Sequence, residues 1–254
     1  MSDPAGEVRL IPVRGIPTIQ PGDDLAAIVL DHLETLVEDG DLFVIAQKVI
    51  SRAENRLVHL KDVEPGDRAR EMAPTAKKDA RLVELILRES TEVLRLHEGV
   101  LIVEQRSGWV CANAGIDRSN VPPGNGEVAA LLPRDADASA RRFAARIKEL
   151  TGRTVAVVVN DSHGRAWREG SVGVAIGVAG MRPLKDERGR RDLYGYELQT
   201  SVIGFADEIA AAASLLMGQT DEGIPVVLVR GLYYQTGEGS AQEIVRPRER
   251  DLFR

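Results

Sequence analysis

Apolar and polar positions alternate so as to divide the chain into short strands and amphipathic helices. Residues 8–13 read as an opening strand that runs into the turn Arg14-Gly15-Ile16-Pro17. Leu25, Ile28, Val29, Leu33 and Leu36 then recur at the helical period behind a cap from Asp23 or Asp24, with His32 as a structural neighbour of that face and Gly40 as the stop. A second apolar strand, 41–46, leads directly into Gln47-Lys48-Val49-Ile50-Ser51-Arg52-Ala53-Glu54. That basic segment reads either as a solvated loop or helix start, or as a ligand-contacting segment at a strand end. Residues 66–95 place Leu82, Leu85, Ile86 and Val93 among many charges and predict helix, broken at Pro74.

The second half repeats the mixture. Strands at 100–104 and 109–112 predict a hairpin around Arg106-Ser107-Gly108, followed by the polar loop 113–120. A helix is expected over 140–150, capped by Asp137 or Ser139 and stopped by Gly152. Residues 154–159 are β-branched at almost every position, which predicts a strand buried on both faces, ending at Asn160-Asp161-Ser162-His163-Gly164-Arg165. Strands at 172–178 and 225–230 and an alanine-rich helix at 206–217 complete the set. The strands and helices do not form even βαβ units, so the pattern favours an α+β fold with mixed and antiparallel sheets and packed helices.

Composition narrows the function classes. A chain of 254 residues, 43% hydrophobic and 28% charged, can bury a sizeable core. No linker or repeat marks a domain boundary, so residues 1–254 are expected to act as one unit. The formal charge of −6 argues against non-specific nucleic-acid binding. No secretory leader or membrane-length apolar run stands in the sequence, so a cytoplasmic protein with no membrane partner is expected. The single cysteine, Cys111, excludes an internal disulfide and a multi-cysteine zinc site, and it falls within a strand. Glycine-rich phosphate-loop, dinucleotide and serine-hydrolase motifs are absent from the sequence. If a nucleotide binds, cations and scattered polar side chains must hold it.

Two segments suit a hard cation. Asp161 and Ser162 stand side by side beyond the buried strand, and Asp117 with Asn120 offers a second carboxylate from a glycine-containing loop. Oxygen donors of this kind match Mg²⁺ or Mn²⁺, although each aspartate taken alone also fits a turn or cap. His163 could ligate Mn²⁺ or close a turn. Residues 217–224, Met217-Gly218-Gln219-Thr220-Asp221-Glu222-Gly223-Ile224, read either as a helix end with a connector or as a backbone that approaches a ligand closely at Gly218 and Gly223.

Arg14-Gly15-Ile16-Pro17, residues 113–120, residues 161–165, Asp192-Leu193-Tyr194-Gly195, Ala206-Asp207-Glu208-Ile209-Ala210, residues 217–224 and Val229-Arg230-Gly231 together resemble the coenzyme F420-0:γ-glutamyl ligase family. The similarity runs from about residue 8 to about residue 245, with the motifs in the family's order. The resemblance implies an α+β F420-ligase-like fold in an intertwined homodimer, of the stand-alone type without an added nitroreductase-like domain. It implies a GTP-hydrolysing, GDP-forming ligase that joins L-glutamate to coenzyme F420-0 or its dehydro precursor through an acyl phosphate.

By the same resemblance, metal falls on Asp117, Asp161, Ser162 and Gln219, as two Mg²⁺ or Mn²⁺ ions per site with K⁺ as a further cation. Nucleotide contacts fall on Arg14, Gly15, Ile16, Pro17, Gln47, Lys48, Arg52, Asn120 and residues 217–224. Lys48 and Arg52 join Asp117 and Asp161 as the groups expected to act on the transferring phosphate. The basic residues Arg182, Lys185, Arg188, Arg190 and Arg191 read as a contact for the substrate's phosphodiester or carboxylates, or as a solvated loop. Ser162 replaces the usual threonine and keeps the hydroxyl. Gln219 stands where a glutamate can ligate metal, which retains an oxygen donor and removes a charge. Gln47 and Lys48 depart from the small hydroxyl residues of some members. A non-catalytic nucleotide or coenzyme binder and a ligase with a changed acceptor are the rival readings.

Overall fold

The computed structural model describes residues 6–118 and 127–253. Chain order begins β1 (Arg9–Val13), α1 (Leu25–His32), β2 (Leu42–Ala46), α2 (Gln47–Ala53) and β3 (Leu57–His59). Next come α3 (Asp67–Ala76), α4 (Ala80–Arg88), β4 (Ser90–His97), β5 (Val100–Gln105), β6 (Val110–Ala112) and β7 (Val128–Ala130). The last part holds α5 (Ala136–Thr151), β8 (Ala156–Arg165), β9 (Arg168–Ala179), β10 (Lys185–Asp186), β11 (Val202–Ile203), α6 (Phe205–Met217) and β12 (Val226–Arg230).

The main sheet has the order β1-β12-β2-β8-β9. Its pairs are antiparallel except for β2 and β8, which run parallel from Leu42↔Ala156 to Ala46↔Asn160. Both faces are covered, which is why these strands read as continuous apolar runs. Phe43, Ile45, Val157, Val159, Val226 and Leu228 face α1, α2 and α5, with Phe43 and Phe143 meeting edge to face at 5.5 Å. Leu42, Val44, Ala156, Val158, Val227 and Val229 face the alanine-rich α6. The expected α+β arrangement with mixed and antiparallel sheets is present.

Small residues let the helices close on the sheet. A Cβ on Gly173 of β9 would lie 2.6 Å from the Ala210 carbonyl of α6 and would strike the Ser214 hydroxyl. Gly173→Ala should therefore destabilise the fold by about 1–3 kcal/mol through overpacking, measured by urea unfolding. At the outer strand, β9 carries an extra residue: Val159 pairs with Gly177, but Asn160 pairs with Ala175. Ile176 is the extra residue, and beside this bulge the Ala175 N–H donates to Asp207 Oδ1 of α6 at 2.9 Å. Burial raises the carboxyl pKa of Asp207, and that hydrogen bond opposes the shift.

A second, smaller core is built by α3, α4, the antiparallel β4-β5-β6 sheet and the β3-β7 pair, around residues such as Leu60, Val83, Ile86, Leu101 and Val103. Arg56 ties it to the rest, donating to the Leu132 carbonyl at 2.9 Å and to Glu89 at 2.8 Å.

Several boundaries differ from the sequence pattern. The first helix ends at His32, and Leu36 is exposed rather than buried, because Asp41 and Arg230 hold the following segment: Asp41 accepts from the Glu38 N–H and Arg230 donates to the Leu36 carbonyl. Pro74 lies inside α3 near its end, and the break comes at Lys77, which adopts φ 48°. Residues 90–97 form a strand rather than the end of a helix. Asp135 caps α5 in place of Asp137 or Ser139, and the polar residues after 159 continue β8 instead of ending it.

Candidate functional site

β2 and β8 run parallel and end side by side, and crevices at the carboxyl ends of such strands are the usual ligand sites of sheets covered by helices. β2 passes straight into α2, which resolves the 47–54 segment as a helix carrying Gln47, Lys48 and Arg52. β8 continues past its neighbour through Asp161, Ser162 and His163, paired with Val174, Gly173 and Val172 of β9. Residues 217–225 arrive from α6 on the same edge before β12 begins. These three segments line a cleft of about 350 Å³.

Because β8 is a strand, its side chains alternate. Asn160 and Ser162 point to the α6 side. Asn160 Nδ2 donates to Ser214 at 3.0 Å, and Ser162 Oγ donates to Gln219 Oε1 at 2.8 Å. Asn160 Oδ1 is buried at the cleft wall with no hydrogen-bond partner among the described residues. Asp161 and His163 point the other way and are joined by a 2.9 Å hydrogen bond between Asp161 Oδ2 and His163 Nε2. They face a smaller recess of about 230 Å³ that also takes in Asp117, Lys48, Cys111, Ser162 and Gln219.

Asp117 reaches this recess on a strained support. Asn113, Ala114 and Gly115 have successive φ values of 53°, 56° and 68°, a left-handed run that non-glycine residues adopt at a cost. A Cβ on Gly115 would lie 2.7 Å from Leu132. The Asn113 side chain accepts from the Leu101 N–H, and Asp117 then exchanges two backbone hydrogen bonds with Ala130 of β7. The Asp117 carboxylate meets the Lys48 ammonium at 2.6 Å, each about one-third exposed.

The 217–224 loop is shaped by its own carboxylate. Gly218 has φ 68°, and Glu222 folds back over it to accept from the Thr220 N–H at 2.8 Å. Backbone N–H groups of this turn hold the Glu222 carboxyl below its usual range. An arc of N–H donors that binds a carboxylate is the kind of arrangement that binds phosphate oxygens. Arg52 lines the same cleft half-buried, and its guanidinium pKa is lowered by that burial. Cys111 forms part of the recess wall. Burial, and secondarily the Asp161 charge, push its thiol up to about 12, so it stays protonated and is unsuited to nucleophilic work.

Among the described residues no cluster of three or more His, Cys, Asp or Glu forms a closed metal cage. The oxygen set of Asp117, Asp161, Ser162 and Gln219 instead fits a hard cation that completes its shell with oxygens from outside the protein. The sequence-derived site residues therefore largely converge. Arg14, Gly15, Ile16 and Pro17 do not line the cleft, although Val13 pairs with Val226 and so brings them off the sheet at the same edge. Asn120 lies outside the described residues. The Lys48–Asp117 pair escaped the sequence reading because it joins residues far apart. The Asp161–His163 pair carried a readable signal, since residues two apart share a face once β8 is extended through them.

The recess with its two aspartates opens on the cleft at one edge of a mixed sheet, beside a second, smaller core. The family model for F420-0:Gamma-glutamyl ligase matches residues 15–231, and the chain belongs to that family. It is 46% identical over 254 residues to the coenzyme F420:L-glutamate ligase of Methanothermobacter thermautotrophicus, covering 97% of this chain and 99% of the relative. The proteins of the same name from Methanopyrus kandleri and Archaeoglobus fulgidus are 45% and 47% identical, each over 97% of this chain and over 98% and 96% of their own lengths. No helix of the described residues is long and apolar enough to cross a membrane.

Proposed function

We propose that this chain is a GTP-dependent, GDP-forming ligase that adds L-glutamate to coenzyme F420-0 or its dehydro precursor, with further γ-linked glutamates as an extension of the same chemistry. The observation that carries the reading is the pair Asp117 and Asp161 in one recess that opens, past Ser162 and Gln219, into the cleft of residues 217–224. The names of relatives at 45–47% identity over nearly the whole chain supply glutamate and the coenzyme.

A carboxylate is a poor electrophile and must be activated before an amine can displace its oxygen. An oxygen of the acceptor's carboxylate bonds to the γ-phosphorus of GTP as the bond to the β–γ bridging oxygen breaks, releasing GDP. The glutamate amine then attacks the acyl carbon, the bond to phosphate breaks, and phosphate and a proton leave. Asp117, Asp161, Ser162 and Gln219 would hold Mg²⁺ or Mn²⁺, which supplies charge neutralisation to an approach that is otherwise repulsive. K⁺ remains a further cation in the proposal. Lys48, held by Asp117 at 2.6 Å, and Arg52 set positive charge beside the transferring group. The turn now bound to Glu222 offers its N–H groups to phosphate oxygens. Arg14, Gly15, Ile16, Pro17, Gln47 and Asn120 complete the proposed nucleotide contacts.

A cytoplasmic homodimer is the proposed assembly. Its support is the excursion between β10 and β11, where residues 188–197 are all exposed and include Leu193 and Tyr194, each more than 95% exposed.

The test is mass spectrometry of F420-0 incubated with the protein, L-glutamate, GTP and Mn²⁺. Glutamyl addition that requires both GTP and the cation is expected. GTP and metal binding without phosphate release would make the protein a binder instead. Gln219→Glu should tighten Mn²⁺ binding several-fold, read by electron paramagnetic resonance, because it adds charge to a shell whose neutral amide oxygen already accepts from Ser162.

A further inference from the structure

We infer that the open cavity lined by the β4-β5-β6 sheet, the β8–β9 turn and the C-terminal segment is the acceptor site, taking a flat aromatic ring system joined to an anionic linker. This assignment rests on the ligase reading above and adds where the acceptor sits and what recognises it.

The first argument is continuity. The Asp117–Asp161 recess shares Lys48, Asp161, Ser162 and Gln219 with the nucleotide cleft. On its other side it shares Cys111, Ala112 and Gly164 with the larger cavity. A transfer between two bound substrates needs their reacting ends to meet. An acceptor in the large cavity and a nucleotide in the cleft meet at the two aspartates, each entering from its own side.

Size and chemistry give the second argument. The cavity offers about 830 Å³, against about 350 Å³ for the cleft, and so has room for a fused ring system with a side chain. Its wall carries the aromatic faces of Trp109 and Phe253 together with aliphatic side chains such as Ile102 and Val110. Four guanidinium groups, Arg95, Arg165, Arg168 and Arg246, stand on the same wall with one carboxylate, Asp251.

None of those four arginines forms a salt bridge among the described residues. Arg246 lies 5.4 Å over the Phe253 ring, and Arg165 makes two long bonds of 3.4 Å to backbone carbonyls of its own turn. Arginine grouped without acidic partners beside aromatic rings matches a ligand that is both planar and anionic. The basic run at 182–191 is a weaker candidate for the same anion: Lys185 and Arg190 are bound to Glu187, and Arg188 to Asp186.

The experiment is fluorescence titration of the full chain, without nucleotide, using two probes. One is the glutamate-free deazaflavin coenzyme with its phosphodiester. The other is the neutral deazaflavin chromophore without it. The double variant Arg168→Ala/Arg246→Ala should weaken coenzyme binding by ~10-fold or more, as expected for lost charge-assisted hydrogen bonds. It should leave the neutral chromophore and GTP bound as in the wild type, and turnover should show a raised KM for the acceptor with kcat kept. Trp109→Ala should weaken both probes. Circular dichroism checks that the variants fold, and both arginines are exposed.

Unchanged coenzyme binding in the double variant and in Trp109→Ala, while the wild type makes glutamylated product, overturns the cavity assignment alone. The expected binding losses in a protein that makes no glutamylated product would retire the ligase reading and leave the assignment standing.

Discussion

Asp161→Ala should lower glutamyl transfer by about three orders of magnitude, the ~4 kcal/mol that charge stabilisation around a transferring phosphate can supply. The fold should survive, because Asp161 holds its place through the backbone pairing with Val174 and its carboxylate bonds only to the neighbouring His163 among the hydrogen bonds described above. Two measurements separate this outcome from a general loss of structure. The thermal midpoint should stay close to that of the wild type. Mn²⁺ binding, read by electron paramagnetic resonance with no substrate present, should fall sharply. A variant that keeps both turnover and Mn²⁺ affinity would remove Asp161 from the site.

The largest stability effect is expected at a residue remote from that recess. Asp41 is 1% exposed and receives Arg230 through both oxygens, at 2.8 Å and 2.7 Å, while also accepting from the Glu38 N–H. Asp41→Ala strips a half-buried guanidinium of its buried partner and leaves that N–H unmet. Breaking one side of such a pair costs about 3–5 kcal/mol. Spread over a chain of this size, that is a fall in Tm of roughly 10 °C. Asp41→Asn keeps an oxygen acceptor and leaves Arg230 its second partner, Glu38 at 2.8 Å, so its loss should be the smaller. Equal stability of Asp41→Ala and the wild type in thermal unfolding would show that the pair contributes nothing net.

The same two residues illustrate what could be read before the fold was known. Strands β2, β8 and β12 declared themselves as apolar runs, and α6 as an alanine-rich helix, because burial on both sides leaves its mark on every position. The end of the first helix did not, since it is enforced by Arg230, almost two hundred residues away along the chain. The site was legible as a set of polar segments following strands, but its pairing was not. Lys48 and Asp117 meet because β7 holds the 113–117 turn against the start of α2, which no local spacing encodes. The extension of β8 was hidden by composition: Asn, Asp, Ser and Gly suggest a turn, yet here they form a hairpin with the glycine-rich β9.

That hairpin makes the recess a matter of reading frame within the strand. Asp161 and His163 face the carboxylate of Asp117, while Asn160 and Ser162 face α6, only because of their parity along β8. Loss or gain of one residue between 156 and 160 would exchange the two sets wholesale, offering the recess an amide and a hydroxyl and pressing a carboxylate toward the apolar helix. Length variation is thus closed to this stretch of the gene. The site can be tuned one side chain at a time, as at Gln219, but it cannot be shifted along its strand.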